Sequence, residues 1–402
     1  VTYRKDFSVT ALPQPADRLK HFGPNPFASL GQRIAQLSAA GKDIIRLDIG
    51  SPDLPPPPHV IEALERSAED PSHHGYAGHR GELSFRMAIA AYYMRRFGVE
   101  LDPHTEIMPL IGSKEGLVNL TVAYLDRGDA ALIPSISYPT YTAGALMAGA
   151  DPIYLPLRAE NNYLLDLTQP VPGIERAKLL WINYPNNPTG AIASLDFYEQ
   201  AVAFCRAHNL LLCSDNPYVD VTFGAYRAPS ALQVRGAKDM TVEFISLSKS
   251  HNMAGWRLGA CVGNREALNN LVHVKSTLDS GSFRAIYDAG TEALNTTPQS
   301  WIDARNERYR VRRDLLMAAL PEIGLEPTFV PEGSLYIWAR IAGQILDEEY
   351  TNAALESTGV SITPGSTYGD DGRRFVRISL GVSDQRLDEA LSRLKEWYRV
   401  RA

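Results

Sequence analysis

The stretch Val242–Val262, VEFISLSKSHNMAGWRLGACV, holds two apolar runs around a polar turn. Val242–Leu247 and Leu258–Val262 are short and bounded by polar residues and glycine, the pattern of strands buried on both faces. Between them stands Lys249, flanked by Ser248 and Ser250 and followed eight residues later by Arg257. A surface lysine needs no such setting. A lysine that forms a Schiff base must be held at a strand end, where burial and nearby cations let it lose its proton. Only nine of the forty basic residues are lysines, so few compete for that role. On spacing alone, a loop lysine in a Ser-rich turn is an equally good reading.

The same texture extends toward the N-terminus. Ile107–Ile111, Ala130–Pro134, Ile153–Leu157, Leu179–Asn183 and Leu210–Ser214 read as strands, and Lys114–Leu125, Ser194–His208 and Arg265–Ser276 as helices between or after them. Apolar runs separated by helices predict an α/β fold, a large domain with a mostly parallel seven-stranded sheet covered on both faces. After about residue 285 the texture changes. Ala285–Leu320 is long, helical and Arg-rich, Gly333–Ile341 and Phe375–Leu380 read as strands, and Leu387–Tyr398 as a closing helix. This predicts a smaller α+β domain. Residues 1–45 read as an extended arm and then a helix through Ile34, Leu37 and Ala40 that stops at Gly41. Pro55–Pro58 predict a polyproline spacer before a helix from His59. The expected division is 46–285 for the large domain, and 1–45 with 286–402 for the small one.

Composition narrows the function. The 402 residues are 45% hydrophobic and 21% charged, the balance of an ordinary globular protein. Forty Lys+Arg against forty-six Asp+Glu give −6, so no basic surplus points to nucleic acid. No run of about 18 apolar residues predicts a membrane span. Cys205, Cys213 and Cys261 are too few and scattered for a disulfide framework or a zinc site. They suit a reducing cytoplasm. His73-His74 has no accompanying cluster and predicts no metal site.

Two further segments follow apolar strands. In Ser214-Asp215-Asn216-Pro217-Tyr218 a carboxylate sits at a strand's C-terminal end, where open α/β sheets bind ligands. Alone, such an Asp is as readily a helix cap. Tyr184-Pro185-Asn186-Asn187-Pro188-Thr189-Gly190 alone is an Asn-Pro turn.

Taken in order, NNPTG, SD..Y, SLSKS…GWRLG and FVRISLG resemble the class I/II, fold-type I pyridoxal-phosphate-dependent aminotransferases, from about Ile44 to the C-terminus. Ala228-Pro229-Ser230, Val234 through Lys238 and the Asn252–Arg257 run look most like the LL-diaminopimelate/alanine aminotransferase branch. The resemblance implies an enzyme moving the α-amino group of an amino acid donor to a 2-oxo acid acceptor, with pyridoxal 5'-phosphate held as an aldimine on Lys249. It implies Asp215 as partner of the cofactor's ring nitrogen, keeping it protonated. Tyr218 and Asn187 would flank the phenolic oxygen. Ser113 and Lys114 open a helix after Gly112, and with Ser246, Ser248 and Arg257 would cradle the phosphate. Tyr138 would stack on the ring. Tyr76, in Gly75–Gly81, would reach the phosphate of a neighbouring subunit, which implies a homodimer. Arg377, with Asn187 and Gly50, would take the substrate's α-carboxylate.

Two departures bear on substrate. His251 stands where close relatives often carry tyrosine, and Phe27 replaces a tyrosine that the diaminopimelate-specific branch uses. Competing readings are a β-lyase or decarboxylase on the same scaffold, or a non-catalytic cofactor-binding sensor. A sensor usually needs a DNA-binding module, for which the arm is short and the charge wrong. No G-x-G-x-x-G follows the first strand, which argues against a dinucleotide-binding protein.

Overall fold

The computed structural model describes residue 12, residues 14–21 and residues 26–401. The expected extended arm at the start of the chain lies largely outside the described residues. All seven strands read from the sequence form one sheet. Its order is Ile107–Leu110, Gly259–Gly263, Thr241–Ser246, Leu211–Asp215, Ala177–Ile182, Ala130–Pro134 and Asp151–Leu155. Gly259–Gly263 runs against both of its neighbours and the other strands are parallel. Successive side chains part to opposite faces, as a pleat requires. Ala130, Leu132, Leu180, Ile182 and Leu212 pack with Phe197 and Tyr198 of the helix Leu195–His208. Ala131, Ile133, Leu179, Trp181, Cys213 and Phe244 pack with Leu117 and Leu120 of the helix Ser113–Tyr124. Both faces are therefore apolar, which is why these strands read as continuous apolar runs.

The helices start where their caps stand. Ser194 Oγ accepts from the Phe197 amide at 3.3 Å, and Asn264 Oδ1 from the Ala267 amide at 2.9 Å. Three expectations shift. The strand placed at Ile153–Leu157 begins two residues earlier, at Asp151, because it lies at the sheet edge, where Pro152 deprives no neighbour of a bond. The long helix Ala285–Leu320 is two, Arg284–Thr296 and Gln299–Ala319, broken at Pro298, which has no amide to continue the first. Pro58 is the first residue of a helix, a position that tolerates proline, while Pro57 keeps the polyproline angles φ −56° and ψ 140°.

The smaller unit is a four-stranded antiparallel sheet in the order Thr363–Pro364, Phe375–Ser379, Tyr336–Ile341 and Leu325–Pro327. Ile45–Arg46 pairs in parallel with Val360–Ser361, and Ile45 and Leu47 join a core with Leu316, Ile337, Val376 and Leu391. The chain between Leu47 and Pro58 thus passes from one unit to the other along the cleft. Arg312, buried on the helix Gln299–Ala319, holds that segment through Asp53 at 2.8 Å and is itself paired at 2.6 Å with Asp384, the first residue of the helix Asp384–Arg401.

One close approach joins the sheet to the helix that follows its first strand. A Cβ on Gly259 would lie 2.6 Å from the Ile245 carbonyl oxygen and 3.1 Å from the Ser113 amide nitrogen. Both are backbone atoms and cannot swing aside. Gly259→Ala should therefore cost about 1–3 kcal/mol, the range for overpacking a tight core. The denaturant midpoint of unfolding measures this, and an unchanged midpoint would show that the strands part at no cost.

Candidate active site

The parallel strands end at one edge of the sheet, and their turns meet there. The turn after Ile107–Leu110 carries Ser113 and Lys114, and that after Ala130–Pro134 carries Tyr138. Asn183 and Asn187 follow Ala177–Ile182, and Tyr218 follows Asp215, the last residue of its strand. Ser246 ends its own strand, and Ser248 and Lys249 follow it. These residues and Arg257 line one cleft. Ten of the residues singled out in the sequence are thus brought together by topology, the crevice that open α/β sheets use for ligands.

One end of the cleft is built for an anion. The first amides of the helix Ser113–Tyr124 have no partner within the helix and carry its positive dipole end. Gly112, at φ +74°, caps that helix, and a Cβ there would lie 2.2 Å from Arg257 Nη2. Glycine lets the guanidinium lie across the helix start. Arg257 Nη1 donates to the Ala254 carbonyl at 2.8 Å and reaches Ser248 Oγ at 3.5 Å. Ser246 Oγ accepts from the Ser248 amide at 3.2 Å, which fixes both hydroxyls beside it. Unpaired amides, two hydroxyls and a guanidinium form a phosphate-type site.

The middle holds two groups with displaced acidities. Burial first, then Arg377 and Arg257, push Lys249 down to about 7, so a substantial share of it is free amine near neutrality. Lys249 Nζ donates to the Gly50 carbonyl. Arg305, buried on the helix Gln299–Ala319, donates to the carbonyls of Lys249, at 3.1 Å, and of Ser250, and so anchors the backbone that carries the amine. Burial pushes Asp215 up to about 7, while a bond from Tyr141 Oη to its Oδ2, at 2.7 Å, works the other way. Tyr141 is itself locked by stacking on Trp181, with centroids 5.0 Å apart. Asp215 Oδ1 is buried without a hydrogen-bond partner. A buried carboxylate oxygen with no donor calls for a cationic N–H.

The far end is built for a carboxylate. Arg377 is buried on Phe375–Ser379 and donates to Asn187 Oδ1 at 3.1 Å, to the Asp48 carbonyl at 2.6 Å and to Thr363 Oγ1 at 3.3 Å. All three acceptors are neutral, and among the described residues no carboxylate pairs with Arg377. Its Nε is unpartnered. The guanidinium lies between two rings, 4.2 Å from the centroid of Tyr336 and 5.1 Å from that of Tyr368. A fixed, buried cation without a counter-ion suits a bidentate anion.

Pyridoxal phosphate fits the first two of these regions: a cradle for its phosphate, an orphaned carboxylate oxygen for its ring nitrogen and a low-pKa lysine for its aldehyde. Tyr138 stands over the cleft, its ring 5.9 Å from Lys114 Nζ. Tyr76 is not among the cleft's residues, and its side chain is 92% exposed. His251 is buried against Ser250 Oγ at 2.9 Å and pushed down to about 4, chiefly by burial, so it is neutral at neutral pH. The side chain of Phe27 lies outside the described residues. Sequence reasoning missed Tyr141, Tyr336, Thr363 and Arg305. Only Tyr141, three residues after Tyr138, offered any local signal.

Asp215 sets a pH dependence. The unfolded carboxyl titrates near 3.8 and the folded one near 7, so folding takes up a proton between those values. The contribution of Asp215 to the stability of the protein freed of cofactor therefore falls as pH rises through that window and levels off above it. Asp215→Asn should stabilise the cofactor-free protein at pH ~8 by on the order of 4 kcal/mol relative to its effect at pH ~4. Chemical denaturation of both proteins across the range measures the gap, and a gap that does not change with pH would contradict the assignment.

Comparison with known proteins agrees with this geometry. The family Aminotransferase class I and II matches residues 42–394. The LL-diaminopimelate aminotransferase of Dehalococcoides mccartyi is 44% identical over 378 residues, covering 94% of this chain and 97% of that one. The substrate-bound structure of BacF from Bacillus subtilis superimposes with a TM-score of 0.91 at 35% identity, covering 96% of this chain and 98% of the other. A probable N-succinyldiaminopimelate aminotransferase from Thermus thermophilus does so with a TM-score of 0.86 at 38% identity, covering 92% of this chain and 100% of the other. The chain therefore belongs to the class I and II aminotransferases, and it is a pyridoxal-phosphate-dependent enzyme of amino-group transfer.

Proposed function

We propose that Lys249 is the amine that carries pyridoxal phosphate in this aminotransferase, and that an α-amino acid is the donor and a 2-oxo acid the acceptor. The observation that carries this is the position of Lys249 between an anion cradle, an orphaned Asp215 oxygen and a counter-ion-free Arg377. When bound, the cofactor supplies an aldehyde that condenses with amines and a ring that draws electrons from the substrate's Cα. Asp215 Oδ1 holds a proton on the ring nitrogen. Ser113, Lys114, Ser246, Ser248 and Arg257 hold the phosphate, and Tyr138 covers the ring. Tyr218 and Asn187 face the phenolic oxygen. Arg377 takes the α-carboxylate in two parallel bonds, with Asn187 and the Gly50 backbone beside it, which fixes the Cα hydrogen relative to Lys249. Lys249 Nζ, free as an amine once the donor's amine has replaced it on the cofactor, would be the base for the Cα proton.

LL-diaminopimelate, the substrate in the name of the Dehalococcoides relative, is one donor we propose. Phe27 has no hydroxyl for a distal polar group, and His251 is neutral, so we propose a range wider than that compound. We further propose a cytoplasmic homodimer in which Tyr76 reaches the phosphate of the partner. Its support is the exposure of Tyr76 on its own chain and the three buried free cysteines. Among the described residues no helix is long and apolar enough to cross a membrane.

Lys249→Ala should lose the pH-dependent visible absorption of bound cofactor and roughly a thousandfold or more of its turnover. Single-turnover reactions with glutamate, alanine, aspartate, phenylalanine and LL-diaminopimelate measure both the loss and the donor range. A normal rate in Lys249→Ala sinks the assignment of the lysine, and exclusive use of LL-diaminopimelate sinks the wider range. For the dimer, Tyr76→Phe should weaken cofactor binding, and mixing it with Lys249→Ala chains should restore one intact site per hybrid. A Tyr76→Phe protein of reduced affinity whose hybrids recover nothing would place Tyr76 in its own subunit's site or in none.

A further inference from the structure

Tyr336 is the first residue of the strand Tyr336–Ile341 and is buried between the two ends of the cleft. Its hydroxyl lies 2.8 Å from that of Tyr218, with the rings edge to face at 77°. Its ring face carries the Arg377 guanidinium at 4.2 Å. The hydroxyl also reaches the Gly50 carbonyl at 3.5 Å, and that carbonyl already accepts from Lys249. The arrangement exists because residue 50 is glycine: a Cβ there would lie 2.2 Å from Tyr336 Oη.

Either hydroxyl can donate in this bond, and proton counting distinguishes what each direction leaves for the cleft. Each phenol has one proton to give. If Tyr218 spends its proton on Tyr336, it has none for the cleft. For Tyr336 the Gly50 carbonyl at 3.5 Å is a weaker acceptor than Tyr218 Oη at 2.8 Å. With Tyr336 as the donor and Tyr218 as the acceptor, the Tyr218 proton is left for the cleft.

We propose that Tyr336 is a positioning residue for Tyr218: its hydroxyl orients and strengthens the Tyr218 donor while its ring seats Arg377. It rests on the roles proposed above for Tyr218, Lys249 and Arg377, and adds a side chain to which none has been assigned. A phenol that accepts a hydrogen bond becomes a stronger donor. Tyr336 thus favours the unprotonated form of the cofactor–lysine chromophore through Tyr218. The charged and titratable groups around the pair are Arg377 from the adjacent strand, Tyr138 from across the cleft and Lys249 below. Arg257 faces Lys249, and Tyr368 and Asp48 face Arg377 from its other sides. Tyr336→Phe leaves all of these in place.

The test is a spectrophotometric pH titration of the holoenzyme. Tyr336→Phe keeps the ring and loses one oxygen, so the protein should melt close to the parent and bind succinate, a probe for Arg377, with unchanged affinity. The pKa of the visible chromophore should rise by about half to one unit, the size expected for one neutral hydrogen bond. Tyr218→Phe should raise it at least as much, and adding Tyr336→Phe to that variant should change nothing more. An unshifted pKa in Tyr336→Phe, or shifts that simply add in the double variant, overturns the proposal. Lys249→Ala in the same series separates the two levels. A pH-dependent band that survives in Lys249→Ala overturns the assignment of the lysine itself. A band lost there, with Tyr336→Phe unshifted, overturns only the role of Tyr336.

Discussion

Three buried ionisable groups, each short of a partner, govern the rest of this cleft. Asp215 is buried with one oxygen bonded by Tyr141 and the other by nothing. Lys249 is surrounded by protein and by the positive charges of Arg377 and Arg257. Arg377 is buried with only neutral oxygens to receive its protons. Each is costly alone, because desolvated ions in a low-dielectric interior lose their hydration. In the roles proposed above, each is also the complement of one part of the reacting complex: a cationic ring nitrogen, an aldehyde and a carboxylate. The folded chain holds this local cost against a large apolar core on both faces of the sheet. Binding relieves what folding leaves unsatisfied, which is how a site acquires both affinity and altered acidities from the same residues.

The fold supplies rigidity at the points where those charges sit. Asp215 and Ser246 end parallel strands packed on both faces, and Lys249 is on the single helical turn that follows, with its carbonyl held by Arg305. Arg377 comes from the other sheet, where Trp338 is its partner in register. The two halves meet through short, specific links: Arg377 to Asn187, Tyr336 to Tyr218, and Lys249 to Gly50. Around them the halves share apolar packing: Trp338 and Tyr368 join the core of the large sheet, and Tyr218, Val221 and Phe223 join that of the smaller unit. The polar links add direction to that packing.

Much of this is legible in the sequence, for physical reasons. Strands buried on both faces must be apolar throughout, so seven of them stand out, and Ser194 and Asn264 mark helix starts by their side-chain acceptors. Asn187, Asp215 and Lys249 stand in motifs whose order along the chain matches the order of turns at the sheet edge, and Arg377 stands in a fourth motif, on the other sheet. The edge strand Asp151–Leu155 is offset by two residues from its apolar run because an edge has one neighbour to enforce register. The break at Pro298 is concealed by helical periodicity on both sides of it. Tyr141 is legible as a site residue only through its nearness to Tyr138, and Arg305 and Tyr336 are not legible as such, since a tyrosine among apolar neighbours reads as packing and one arginine on an Arg-rich helix reads as surface. Their meaning lies in partners 74, 56 and 118 residues away.

Glycine shows the same limit from the other direction. Gly50, Gly112 and Gly259 have no side chain to read, yet each marks a place where two parts of the site come within contact distance. At Gly112 the approaching atom is the guanidinium of Arg257, at Gly259 the backbone of Ile245 and Ser113, and at Gly50 the hydroxyl of Tyr336. Only Gly112, at φ +74°, also needs glycine for its backbone conformation. At the other two the requirement is absence of volume. The cation at the anion cradle, the amides beside it and the hydroxyl beside Tyr218 all occupy space that a β-carbon would take. The chemistry of the cleft is thus set as much by where the chain omits side chains as by the ionisable groups it places there.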